Sequence, residues 1–170
     1  MAETAFRGTP VHTSGALPAV GSQAPDFELT GSDLAPVALA DVRGRRAVLN
    51  VFPSIDTGTC QASVRRFNEL AAGLEDTEVV CVSRDLPFAQ ARFCGAEGIE
   101  DVTVASDFRA PAGRGQDFGT AYGLALVDGP MRGLLARAVI VLDADGRVLH
   151  TQLVSEIADE PDYNAALAVL

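Results

Sequence analysis

The chain has 170 residues, 48% apolar and 21% charged, an ordinary globular composition that bounds it to one domain with a substantial core. A formal net charge of −10 sets it against phosphate backbones and anionic membrane surfaces, and its basic residues are scattered arginines with no polybasic block, so nucleic acid and membrane partners are excluded. No apolar run reaches bilayer length, and Met1–Arg7 carries an early acid rather than the pattern of a secretory signal, so a cytoplasmic address is expected.

Residues 2–14 read as a short hairpin, Ala5–Arg7 and Val11–Thr13 around a turn at Gly8-Thr9-Pro10. Asp26–Thr30 alternates as a strand, and Val37–Leu39 is a second short one. After the polar loop Arg43–Arg46, the continuous apolar run 47–52 predicts a central strand covered on both faces. A helix follows from Cys60 to about Gly73, with Val64, Phe67, Ala71 and Leu74 as its inward stripe and Asp56 or Thr57 as its cap. Val79–Val82 is a buried strand. Leu86-Pro87 opens a helix through about Cys94, stopped near Gly95 or Gly98. Val102–Ala105 is a strand, 109–119 a Gly/Pro/Ala-rich loop, and Ala121–Gly123 the end of a short helix, followed by a loop over 126–134. Ala136–Leu142 and Arg147–Leu153 form a hairpin around Asp143–Gly146, and 161–170 close the chain as a helix. The order β–α–β–α–β, hairpin, helix predicts an α/β fold over residues 1–170. It is a thioredoxin-like mixed β-sheet flanked by helices with an N-terminal β-hairpin extension, two helices on one face and one or two on the other.

The cysteines are 60, 81 and 94, an odd number without Cys-x-x-Cys or Cys-x-x-His spacing, and only His12 and His150 accompany them. A disulfide framework and a structural zinc site are both disfavoured, which leaves reactive thiols or plain buried ones. Cys60 stands in a first helical turn after a buried strand, where unpaired N–H groups and the helix dipole favour a thiolate. Thr57, three residues earlier, brings a hydroxyl near the sulfur, and Pro53 can shield it from water without donating a hydrogen bond. The bland alternative is a small buried hydrophobe. Arg137, among Leu134, Leu135, Ala138 and Val139, is either a surface charge with a packed stem or a buried cation in need of a partner. Cys81, flanked by Val79, Val80 and Val82, reads as inert packing, and Cys94 beside Phe93 as a helix thiol on an apolar face.

Pro53-x-x-x-Thr57-x-x-Cys60 after a buried strand resembles the peroxiredoxin active-site motif. The wider chain resembles the thiol peroxidase group of atypical two-cysteine peroxiredoxins. The resemblance is carried by Gly21-x-x-Ala24-Pro25-Asp26-Phe27, Asn50–Ser54, Ser83-x-Asp85–Gln90-x-Arg92-Phe93-Cys94, Asp128-Gly129-Pro130, Gly133-Leu134-x-Ala136-Arg137-Ala138 and Glu160-Pro161-x-Tyr163. It implies that Cys60 is the peroxidatic cysteine, Cys94 the resolving one, and that Thr57 and Arg137 complete a peroxide site with Pro53. It implies reduction of hydrogen peroxide and organic or lipid hydroperoxides through a Cys60–Cys94 disulfide, electrons from thioredoxin, no metal, haem or flavin, and a homodimer. Because a disulfide needs Cα atoms within roughly 7 Å, two intact helices are not expected to satisfy it, and local unwinding is expected after oxidation. In place of the family's proline after the threonine stands Gly58. The rival readings are a thioredoxin-type dithiol oxidoreductase, against which Thr57 occupies the first thiol position, and a peroxide sensor using the same sulfenate.

Overall fold

β5 (Arg46–Val51) runs near the middle of a seven-stranded sheet, parallel to β6 (Thr77–Ser83) and antiparallel to β8 (Ala138–Leu142). Its unbroken apolar run follows from that place, because successive side chains point to opposite faces and both faces are covered. Ala47, Leu49 and Val51 enter one buried cluster; Val48, and Phe52 just beyond the strand, enter the other. β6 divides in the same way, Val80 and Val82 against Val79 and Cys81. The computed structural model describes residues 1–113 and 115–170, so one position of the expected 109–119 loop lies outside the described residues.

With β3 (Glu28–Gly31), β4 (Pro36–Ala38), β7 (Thr103–Ser106) and β9 (Val148–Leu153), the sheet order is β4-β3-β7-β6-β5-β8-β9. The crossovers β5–β6 and β6–β7 carry α2 (Gly58–Ala71) and α3 (Pro87–Glu97) and step in the same direction along the sheet. Right-handed crossovers in one direction deposit their helices on one face. α5 (Tyr163–Leu167) joins them there through Ala166, with the Tyr163 ring edge-on to Phe67 at 5.1 Å. That face therefore holds three helices rather than the two expected. The other is covered by two one-turn helices, α1 (Leu39–Val42) and α4 (Phe118–Ala121), with an aromatic group of Phe27, Phe118 and Tyr122.

β1 (Glu3–Phe6) and β2 (Thr9–His12) form a separate two-stranded hairpin. Its turn is Arg7-Gly8, not Gly8-Thr9-Pro10: both residues have positive φ, 53° and 77°, the pattern of a two-residue turn that matches strand twist. Pro10 instead sits within β2 opposite Ala5. Other boundaries shift by a turn or less. Leu39 opens α1 rather than ending a strand, α2 starts two residues before Cys60, and α5 is shorter than 161–170 at both ends. Of the two glycines offered as the stop of α3, Gly98 is the one that ends it, at φ 66° in the left-handed region. Among the described residues, no helix is long and apolar enough to cross a membrane.

Candidate active site

The loop from Phe52 to Thr57 delivers the end of β5 to the start of α2, and one carboxylate shapes it. Asp85, just after β6, accepts from Ser54 Oγ at 2.8 Å, from the Ile55 N–H at 2.7 Å and from Ser83 Oγ at 2.6 Å. Three donors on one carboxylate fix the loop against the neighbouring strand. Thr57 is the N-cap of α2 by backbone conformation, but its hydroxyl does not cap. It donates to the Ser54 carbonyl at 3.2 Å, and the expected alternative, Asp56, pairs with Arg92 at 3.4 Å. The N–H groups of Gly58, Thr59 and Cys60 consequently have no acceptor among the described residues.

Cys60 is fully buried on the inward stripe of α2 beside Val64 and Phe67. Arg137, in the residue before β8, is 1% exposed and donates from Nη2 to Cys60 Sγ at 3.3 Å. Its Nε donates to the Ile157 carbonyl at 2.8 Å, and Nη1 is buried with no partner. Among the described residues no carboxylate pairs with this guanidinium. A buried cation is costly unless it is compensated. Among the described residues, the titratable side chain hydrogen-bonded to Arg137 is the Cys60 thiol.

A cleft of about 220 Å³ opens over this pair. Pro53, Thr57, Arg137 and Ile157 line it together with Phe6 from the hairpin and Met131 from the loop between α4 and β8. Pro53 is buried and Thr57 exposed, so the cleft has an apolar wall and a polar rim. A larger cleft, of about 470 Å³, lies on the other face of the sheet around Asp26, Glu28 and Pro111; no cysteine lines it.

The Redoxin family model matches residues 19–167. Over all 170 residues the chain is 54% identical to the thiol peroxidase of Corynebacterium glutamicum and 55% identical to that of Mycobacterium tuberculosis, covering 99% of each relative. Both matches span the motif and its surroundings. The chain belongs to the thiol peroxidase group of the peroxiredoxins. Among solved structures it is similar to a peroxiredoxin-like protein of Aquifex aeolicus, at a TM-score of 0.89 and 37% identity, covering 99% of this chain and 95% of that one. A thiol peroxidase of Chromobacterium violaceum, at 20% identity, shares the fold with a TM-score of 0.86, covering 98% of this chain and 93% of that one.

Of the residues expected in this peroxidase's site, Thr57, Pro53 and Arg137 line the cleft, Cys60 lies buried against Arg137 behind it, and Cys94 is elsewhere. Cys94 lies half-buried in intact α3, a free thiol packed against the same core cluster as Cys60. Burial pushes its thiol up from the ordinary value. The two helices are tied across their surfaces by Arg65, whose guanidinium grips Glu97 at 2.8 and 3.0 Å and lies over the Phe93 ring. Cys81 is buried in β6, its thiol pushed up to about 12 by desolvation, which suits an inert packing residue.

Sequence reasoning did not single out Asn50, Glu156 and Ile157. The Asn50 amide, buried in β5, donates to Ser63 Oγ at 3.3 Å, and Ser63 in turn donates to the Cys60 carbonyl at 2.8 Å. A polar residue in the centre of an apolar strand was the available signal. For Glu156 and Ile157 no local signal exists, because their partners are distant in the chain.

Proposed function

We propose that this peroxidase reduces hydrogen peroxide and organic or lipid hydroperoxides at Cys60, that Cys94 resolves the product as an intramolecular disulfide, and that thioredoxin returns both thiols. A hydroperoxide enters the cleft with its terminal oxygen toward the sulfur. The Cys60 thiolate attacks that oxygen, a sulfur–oxygen bond forms, and the O–O bond breaks. Sulfur is oxidised by two electrons to the sulfenic acid, which keeps the hydroxyl proton, and the other oxygen leaves as an alkoxide or hydroxide that takes a proton from water. Negative charge moves from sulfur to the leaving oxygen. Arg137 serves both ends of that shift, Nη2 at the sulfur and the unpartnered Nη1 toward the peroxide. The Thr57 hydroxyl proton is engaged by Ser54, so its oxygen accepts from the peroxide O–H and holds the ligand in line. The free N–H groups of the first turn of α2 add donors at the same place.

In the second step the Cys94 thiolate attacks the sulfenic sulfur, a disulfide forms, the S–O bond breaks, and hydroxide leaves and takes a proton from solvent to become water. Both cysteines sit in folded helices, so the first turn of α2, the region around Cys94, or both must unwind. A thioredoxin dithiol then reduces the disulfide by exchange. The protein is expected to act in the cytoplasm as a homodimer. The observation that carries this reading is the buried Arg137 guanidinium, which among the described residues pairs with no carboxylate and is bonded to Cys60 beneath an open cleft.

A coupled assay tests it: NADPH consumption with thioredoxin and its reductase, started by peroxide. Sustained turnover is expected. Insulin reduction without peroxide would favour a dithiol oxidoreductase instead, and one stoichiometric oxidation without recycling would favour a sensor.

A further inference from the structure

Glu156 lies beside the cleft without lining it, where the hairpin meets the segment after β9. Its carboxylate accepts three backbone N–H groups: Arg7 at 3.1 Å and Ala158 at 3.1 Å on one oxygen, Gly8 at 3.0 Å on the other. Arg7 and Gly8 are the two left-handed residues of the hairpin turn, and such a turn points consecutive N–H groups at one anion. The N–H groups of Gly8, Ala158 and Arg7 hold the carboxyl below the usual range, so it is ionised at neutral pH.

The segment that Glu156 anchors is also laced to β1. The Ile157 N–H donates to the Ala5 carbonyl at 2.8 Å, the Ala5 N–H to the Ser155 carbonyl at 2.9 Å, and Thr4 Oγ1 to the Val154 carbonyl at 2.7 Å. Two carbonyls of this segment then reach the active site. Ile157 takes Arg137 Nε at 2.8 Å, and Ala158 takes Thr59 Oγ1 at 2.9 Å, from the first turn of α2.

We propose that Glu156 is a positioning residue for peroxide reduction, acting through the Ile157 and Ala158 carbonyls to aim the Arg137 guanidinium and to seat the helix turn that carries Cys60. The proposal rests on the roles given above to Cys60 and Arg137. The hairpin is on this account part of the catalytic apparatus rather than a cover: its turn completes the clamp on segment 156–158. Among the described residues Arg137 has no other acceptor for Nε, so a shift of that segment transmits directly to the guanidinium. A misplacement of about 1 Å at such a group is enough to cost on the order of 100-fold in rate.

The test is single-turnover oxidation of reduced wild type, Glu156→Ala and Glu156→Gln by hydrogen peroxide, with the rate of Cys60 oxidation and the rate of disulfide formation followed separately by rapid quench and mass spectrometry. In Glu156→Ala the oxidation step is expected to slow by on the order of 10- to 100-fold, with disulfide formation not slowed. Glu156→Gln, whose amide oxygen still accepts two of the three N–H groups, is expected between the two. It also carries the test if Glu156→Ala does not fold. A carboxylate that only stapled the hairpin would lower the melting temperature and leave the two steps unseparated. Equal oxidation rates in the three proteins, or both steps falling together, would overturn the proposal while leaving the active-site assignment intact. A wild type that takes no oxygen at Cys60 would overturn that assignment and this inference with it.

Discussion

Arg137 Nη2 stands 3.3 Å from Cys60 Sγ with both side chains buried and, among the described residues, no carboxylate on the guanidinium. A charge in that position with one nitrogen unpartnered does not favour folding. The proposed reaction accounts for its place. Arg137→Met is therefore expected to lower kcat/KM for peroxide by about 10²- to 10³-fold, the usual cost of losing a preorganised donor at developing charge. Its thermal midpoint should not fall below that of wild type. Steady-state kinetics and calorimetry on the same preparation check both halves.

The proposed division of labour between Cys60 and Cys94 predicts different failures. Cys60→Ser is expected to be inactive at any peroxide concentration. Cys94→Ser is expected to consume one equivalent of peroxide, stall as a sulfenic acid and fail to cycle with thioredoxin. Peroxide consumption per protein, with a sulfenate-trapping reagent, distinguishes the two.

Gly58 occupies the first position of α2, and the local geometry would accept a proline. Its N–H has no acceptor among the described residues, a Cβ there would meet nothing within 4 Å, and Thr57 before it is already extended at φ −113°, ψ 146°. Gly58→Pro is expected to raise stability by about 0.4–1 kcal/mol by restricting the unfolded chain. A stiffer helix start should unwind more slowly, so disulfide formation slows and sulfinic acid accumulates at high peroxide. Chemical denaturation and intact-mass measurement across a peroxide series test the pair of effects.

What could be read from the sequence is what local chemistry encodes. The run 47–52 and the Cys60 helix follow from side-chain periodicity, and Thr57 and Pro53 lie within eight residues of the sulfur. By its local surroundings Arg137 is legible only as a charge among Leu134, Leu135 and Ala138, and the family resemblance alone directs it to the peroxide site; its contact with Cys60 depends on pairing β8 with β5. α1 was invisible because four residues cannot establish a helical period. The hairpin turn was misplaced by one residue because Pro10 signals a turn more loudly than an arginine with positive φ. Glu156 was missed because the turn N–H groups it holds are 148 and 149 residues away in the chain.

Burial raises the Cys94 thiol, and this sets the pH dependence expected of the proposed resolving step. Folded α3 binds that proton more tightly than an opened chain does, so rising pH favours opening from the ordinary thiol value of about 8.5 upward, toward the raised folded value. The thiolate released is also the attacking species. Disulfide formation after a peroxide pulse is expected to accelerate with pH through that window. Stopped-flow measurement of the second step from neutral to alkaline pH checks it, and a rate that falls with pH would contradict it.

The most direct test is to give the fully reduced wild type less than one equivalent of hydrogen peroxide and locate the oxidised sulfur by peptide mass spectrometry. The expected record is oxygen first on Cys60, then a Cys60–Cys94 bond, with Cys81 still reduced. Oxygen appearing first on Cys81 or Cys94 while Cys60 stays unmodified would contradict the account.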